Sequence, residues 1–290
     1  MKCVAVDEAL LRAWPLPAPD GDGDKESRGR VLVIAGSREI PGAAVLAATA
    51  ALRAGAGKLL VATPASVWQL VAAALPEARV IALPESKDGG VEPEAVDLVA
   101  SCADSTACVL VGPGMMGEAT TAAFVEGLLP RFRNSTVVLD ALGMECVRGG
   151  KRFSQPVILT PHAGEMAHLT GDEKEDLQSD PVAAAVRHAR EWQAVLALKG
   201  ATTCIAAPDG KAWRHESRTP GLGTSGSGDV LAGLIAGLAA RGATPEQAVV
   251  WGVALHARAG ETQALRTGKV GYLARELAAE VPALLDLLGP

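Results

Sequence analysis

The 290 residues carry a net charge of −6, with 49% apolar and 21% charged residues. That apolar share supplies a large core and argues against general disorder. The absence of a Lys/Arg run argues against a nucleic-acid surface, which needs clustered cations to displace counterions. Five cysteines (Cys3, Cys102, Cys108, Cys146, Cys204) without a CxxC pair speak against a disulfide framework and a zinc site. The charged N-terminus and the Pro-, Ser- and Gln-interrupted stretch 59–76 speak against a signal peptide and a membrane span, so the expected compartment is the cytoplasm.

Along the chain, residues 1–29 read as a flexible entry, with the Gly/Asp-rich string DGDGDKESRGR (20–30) as a loop. VLVIAG (31–36) reads as a buried strand and 42–53 as an Ala-rich helix closed by Gly55 and Gly57. A second strand follows at 59–63, a helix at about 65–75, and further strands at 79–83, 107–111, 136–140, 157–160 and 194–198. Helical patterns cover 118–130, 181–192, 229–240, 245–265 and 273–288. TTCIAA (202–207) and KAWRH (211–215) predict a hairpin turning at Asp209-Gly210. Continuous apolar strands alternating with helices imply an α/β fold, a mostly parallel central sheet with helices on both faces, in a single domain.

The segment TPGLGTSGSGDVLAGLIAGLAARG (219–242) carries the most chemical information. Four glycines within 221–228 precede an uninterrupted helical pattern that begins at Asp229. A helix N-terminus exposes unpaired amides and a partial positive charge, and glycines let that backbone close on an anion. Gly226, Ser227 and Gly228 therefore form a candidate phosphate cradle. It is not a P-loop, since no GK[ST] follows the glycines; GxGxxG matches 221–226 as a string, but no strand precedes it. Asp229 either caps this helix or serves as a base: a carboxylate beside an anion hole makes chemical sense if it accepts a proton from an attacking hydroxyl while the amides hold the transferred group.

The Gly226-Ser227-Gly228-Asp229 corner resembles the GxGD anion hole and catalytic aspartate of the ribokinase-like superfamily. With AGSREIPGAAVLAATAALRAGAGKLLVATP (35–64), VGPGM (111–115), ILTPHAGE (158–165), LKGATT (198–203) and GTSGSGDVLAG (223–233) in this order, the chain is similar to the ADP/ATP-dependent NAD(P)H-hydrate dehydratase family from about residue 30 to 265. The resemblance implies ADP- or ATP-dependent dehydration of the S-form of hydrated NADH or NADPH: the ring hydroxyl is phosphorylated, phosphate leaves, and the cofactor is repaired. It assigns Asp229 as catalytic base, and Ala43, Ala44, Gly114 and His162 as contacts of the hydrated dinucleotide. Lys199, Gly200, Ala201, Thr202 and Thr203, with Gly228, would hold ADP or ATP. Glu165 would order Mg²⁺ through a bound water, as in related kinases.

From the residues alone, Ala43 and Ala44 also read as helix-packing positions, His162 as a solvated loop side chain, Glu165 as a helix cap and Lys199 as a surface cation. Gly112 and Gly114 stand at the carboxyl end of a strand, where open α/β sheets place ligands. Two positions depart from the family's usual strings: Thr219 stands in the place of an Asn, and Leu142 in that of an acid. The resemblance further implies a homo-oligomer, typically a tetramer, using apolar faces of the 42–53 and C-terminal helices. About thirty residues ahead of the first expected strand leave no room for an N-terminal epimerase domain, so an epimerase partner is expected as a separate protein. The competing readings are a ribokinase-like kinase of a small vitamin-precursor alcohol, whose product keeps the phosphate, and a non-catalytic nucleotide-binding regulator.

Overall fold

The computed structural model describes residues 3–18, 28–217 and 219–289. Among them one ten-stranded sheet runs in the order β1-β10-β9-β8-β7-β6-β5-β2-β3-β4. Its parallel centre comprises β2 (Arg30–Ile34), β3 (Lys58–Pro64), β4 (Arg79–Leu83), β5 (Cys108–Val111), β6 (Thr136–Leu139), β7 (Val157–Leu159) and β8 (Val195–Leu198). β9 (Thr202–Ala206) and β10 (Ala212–Glu216) add the expected hairpin in antiparallel register. β1 (Cys3–Ala5) closes the edge in parallel with β10.

Eleven helices are described: α1 (Glu8–Ala13), α2 (Pro41–Arg53), α3 (Trp68–Ala74), α4 (Val96–Ala100), α5 (Glu118–Leu128), α6 (Ala163–Thr170), α7 (Lys174–Ser179), α8 (Pro181–Trp192), α9 (Ser227–Ala240), α10 (Pro245–Arg266) and α11 (Ala274–Leu288). The strands alternate their side chains between two cores. Val31 and Val33 of β2 pack with α2, α9, α10 and α11, while Leu32 and Ile34 pack with α4, α5, α6 and α8. Burial on both faces explains why these strands read as unbroken apolar runs.

The expected flexible entry at 1–29 needs correction: residues 3–13 form β1 and α1. Asp7 caps α1 by accepting from the Leu10 amide at 2.8 Å. Trp14 stacks on Trp213 of β10 at 5.8 Å between ring centroids, and its carbonyl accepts from Trp251 Nε1 at 2.8 Å. A three-residue strand and a six-residue helix are too short to show a period. Residues 20–27 of the expected loop lie outside the described residues. The expected apolar face of α2 is also taken up inside the chain, since Ala43, Ala44, Ala47, Ala48, Ala50 and Ala51 are all buried.

α9 is buried almost all round, as its uniformly apolar sequence requires. It crosses α2 on two glycines: a Cβ at Gly233 would stand 2.2 Å from the Ala47 carbonyl oxygen, and one at Gly237 would stand 2.3 Å from that of Ala51. The backbones of the two helices therefore touch directly. The connection reverses between β2 and β5: the chain moves outward through β3 and β4, then returns beside β2 and continues the other way. Such a switch point opens a crevice beyond the strands' carboxyl ends.

Candidate active site

Two groups of sequence-selected residues gather along that edge. The first lies at the switch point. Gly36, just past β2, donates its amide to the Pro113 carbonyl at 2.8 Å, tying the loop after β2 to the loop after β5. Gly114 has φ +64, and a Cβ there would lie 2.5 Å from the Ala43 Cβ and 2.9 Å from the Ile40 carbonyl oxygen. Gly114 and Ala43 are thus brought together. Ala44 is fully buried, facing Gly36 within the core.

The second group surrounds α9. Its helix begins at Ser227, two residues earlier than its apolar pattern, because Gly226 takes the N-cap position at φ 85. Asp229 is consequently the third residue of the helix and does not cap it. Ser227 donates its amide to the Thr224 carbonyl and Val230 to that of Gly226, whereas the amides of Gly228 and Asp229 donate to no described residue. Two N–H groups without a partner among the described residues, with the positive end of a 14-residue helix behind them, have the geometry that suits an anion.

Lys199, at the end of β8, faces this corner: its Nζ lies 3.5 Å from where a Gly228 Cβ would be. It donates to Asp140 Oδ1 at 3.1 Å and lies 3.8 Å from Glu165 Oε2. Burial disfavours the Lys199 charge, but the carboxylates of Asp140, Glu165 and Asp229 outweigh it and hold the ammonium's pKa above its ordinary value. Asp229 responds the opposite way. Burial chiefly, and then the nearby Asp140 carboxylate, push its pKa up to about 6 against the opposing pull of Lys199. A carboxylate so adjusted is ionised at neutral pH yet more basic than an ordinary aspartate.

His162 is exposed, as a solvated loop side chain would be, but its ring also caps a helix. Its Nδ1 accepts from the amides of Gly164 and Glu165 at 3.0 and 3.1 Å, and Glu165 Oε2 accepts from the His162 amide at 2.7 Å. This reciprocal capping box starts α6, so the capping reading of Glu165 holds. It also aims one Glu165 oxygen towards Lys199.

A cavity of about 690 Å³ opens beside this group. His162, Lys199, Gly200, Ala201 and Thr203 line it from one side, and Ser227 and Gly228 from the other. Asp229, Gly226, Glu165, Thr202, Ala43, Ala44 and Gly114 are not among its lining residues; Asp229 meets the group through the charges of Lys199 and Asp140. Sequence reasoning missed Asp140, Thr160, His215 and His256. Asp140 had a signal, a lone acid ending the apolar run TVVL; it is 3% exposed and bonded by Thr160 Oγ1 at 2.6 Å. His215 and His256 line the cavity from β10 and α10, where nothing local in the sequence distinguishes them. Of the two departures, Thr219 is buried at the cavity wall, while Leu142 is half-buried and does not line it.

Comparison with known proteins identifies the family and the fold. A model of the family described as NAD(P)H-hydrate dehydratase matches residues 31–283. An ADP-dependent (S)-NAD(P)H-hydrate dehydratase from Xanthomonas campestris is 50% identical over 285 residues, covering 98% of this chain and 96% of that protein. The crystal structure of an ADP/ATP-dependent NAD(P)H-hydrate dehydratase from Bacillus subtilis, co-crystallised with ATP and Mg²⁺, superposes with a TM-score of 0.86 at 31% identity and covers 99% of both chains. A ribokinase-like superfamily protein from Enterococcus faecalis shares the fold at a TM-score of 0.85 and 24% identity, covering 99% of this chain and 96% of that one. With its ribokinase-like α/β fold and a family match spanning nearly the whole sequence, the chain belongs to the NAD(P)H-hydrate dehydratase family.

Proposed function

We propose that the chain is an ADP-dependent (S)-NAD(P)H-hydrate dehydratase that restores NADH or NADPH from the hydrated cofactor. The observation that carries this reading is the position of Asp229, third in α9, next to two unpaired amides and to Lys199. The Asp229 carboxylate takes the proton of the ring hydroxyl as its oxygen attacks the terminal phosphorus of ADP or ATP, breaking the bridging P–O bond and releasing AMP or ADP. The amides of Gly228 and Asp229 and the Lys199 ammonium stabilise the charge on the phosphoryl oxygens during transfer. The phosphorylated ring then loses phosphate by C–O cleavage, the ring nitrogen supplying the electron pair. The resulting iminium gives up a proton from the neighbouring ring carbon to the departing phosphate or solvent, which forms the ring double bond and regenerates the reduced nicotinamide.

In the same reading, the nucleotide occupies the 690 Å³ cavity against Lys199, Gly200, Ala201, Thr203, Ser227 and Gly228, with Thr202 and Gly226 supporting from behind. The hydrated dinucleotide lies at the switch point over Ala43 and Gly114, reaching His162, while Ala44, fully buried, supports that surface from within the core. Asp140 and Glu165, both beside Lys199, are hard oxygen donors of the kind Mg²⁺ takes, but with Asp229 they do not converge as a direct three-carboxylate ligand set, so an ion here would rest chiefly on the nucleotide phosphates and water. Glu165 would order such an ion through its bound water, and the ion would neutralise charge on the nucleotide phosphates.

We also place the protein in the cytoplasm as a homotetramer. Five free cysteines, four of them buried, suit a reducing compartment, and no described helix is long and apolar enough to cross a membrane.

The decisive test supplies hydrated NADH with ADP and Mg²⁺ and follows nicotinamide absorbance together with released phosphate. Equal recovery of both signals is expected. No recovery with either ADP or ATP overturns the proposal, and phosphate retained on the product makes the protein a kinase.

A further inference from the structure

His256 of α10 sits beneath the first turn of α9, 9% exposed, with its Nε2 2.9 Å from Ser227 Oγ and 3.0 Å from the Ser227 carbonyl oxygen. These two contacts determine which ring nitrogen carries the proton. A carbonyl oxygen only accepts, so an unprotonated Nε2 would set two lone pairs against each other at 3.0 Å. Nε2–H therefore donates, to the carbonyl and in a shared fashion to Oγ. Burial first, with the Lys199 and His215 charges adding to it, depresses the imidazole's pKa to about 4 despite the bond to Ser227, so the ring is neutral at physiological pH. With Oγ accepting from His256, the hydroxyl's own hydrogen meets no other acceptor among the described residues. Both side chains line the cavity together with Gly228, whose amide, like that of Asp229 next in the chain, donates to no described residue.

We infer that His256 is a positioning residue that holds Ser227 with its hydroxyl hydrogen directed into the anion site, giving the nucleotide phosphate a side-chain donor beside the two amides. The inference rests on a nucleotide phosphate binding at the start of α9. The Ser227 hydroxyl is the contacting group, and His256 acts through it. Replacing His256 by Leu releases the hydroxyl to bond elsewhere. Replacing it by Gln retains an N–H at nearly the same reach.

The test measures the affinity of the folded protein for ADP·Mg²⁺ by calorimetry, alongside the KM for each substrate and kcat. His256→Leu and Ser227→Ala are each expected to weaken ADP binding about tenfold, the usual worth of one hydrogen bond to a charged group. The KM for the hydrated dinucleotide should stay within about twofold, because a donor aimed at the nucleotide contributes no direct contact to the second substrate. His256→Gln should recover most of the loss. In the Ser227→Ala background, His256→Leu should add little, since the two act as one unit. Full additivity of the two losses, or unchanged ADP affinity in a His256→Leu protein that unfolds at the wild-type temperature, overturns the inference. If His256→Leu lowers the unfolding temperature, the comparison of Gln with Leu in the Ser227→Ala background decides instead: a difference there shows that His256 acts on something other than the hydroxyl. Wild-type protein that binds ADP but repairs no hydrate would refute the dehydratase reading and leave this one standing.

Discussion

The ammonium of Lys199 and the carboxylate of Asp140 are joined at 3.1 Å, linking the ends of β8 and β6 across β7. Thr160 of the intervening loop completes the bond set on Asp140. With Asp140 at 3% exposure, this pair is a buried one, and removing a single partner strands a charge. Lys199→Met should therefore destabilise the fold by about 3–5 kcal/mol in urea denaturation. Adding Asp140→Asn should restore much of that loss, because the stranded charge is gone. A Lys199→Met protein as stable as the parent would show that the pair is solvated.

Asp229→Asn keeps the shape of the corner and removes its base. Turnover is expected to fall by about 10²–10⁴, the usual contribution of a positioned general base. Nucleotide affinity should hold or rise, because a carboxylate near the phosphate is removed. Steady-state kinetics with direct ADP titration separates the two effects, and an unchanged rate dismisses Asp229 from the chemistry.

The raised pKa of Asp229, about 6, has consequences for both rate and stability. In the free protein kcat/KM should decline as pH drops below about 6, because only the ionised carboxylate accepts a proton. Stability runs the other way. Below the ordinary value of 3.8 the group is protonated whether the chain is folded or not; between 3.8 and about 6 the folded chain keeps its proton longer, so stability declines as pH rises, with the full penalty present above 6. Asp229→Asn should thus be more stable than wild type at pH 7, by on the order of 3 kcal/mol, and equally stable near pH 3. Thermal melts across that range test the sign. A gap that narrows as pH rises contradicts it.

Gly114→Ala probes the other half of the site. At φ +64 with the Ala43 Cβ 2.5 Å away, the new methyl must displace the start of α2. The KM for the hydrated dinucleotide should rise roughly tenfold or more, as misplacement of about an ångström suffices for large losses. ADP binding, measured separately, should change less than twofold. A matching loss in ADP affinity would mean that Gly114 belongs to the nucleotide side.

Where a residue's placement depended on its own neighbours in the chain, it was legible in advance. The glycines before α9, the carboxyl-end glycines of β5 and the strand-ending Lys199 all carry a local pattern, and the buried parallel strands announce themselves by unbroken apolar runs. The start of α9 was misjudged by two residues because Gly226 caps through backbone conformation, with no side-chain sign. Asp140 and His256 escaped attention for another reason. Each matters through a partner far along the chain, Lys199 for one and Ser227 for the other, and only the folded sheet brings such partners together. β1 and α1 were invisible because their order comes from Trp213, Gln247 and Trp251, more than 190 residues away.

The two glycines where α9 crosses α2 carry a mechanical meaning. In the proposed reading α2 supplies Ala43 near the acceptor's crevice and α9 supplies Asp229 at the donor's, so the spacing between hydroxyl and phosphorus would be governed by a seam with no side chain in it to yield. An added methyl at 233 or 237 would wedge the acceptor and donor platforms apart while touching neither ligand. Such a protein could bind both molecules and still fail to bring them within reacting distance, an idle clamp whose jaws no longer meet.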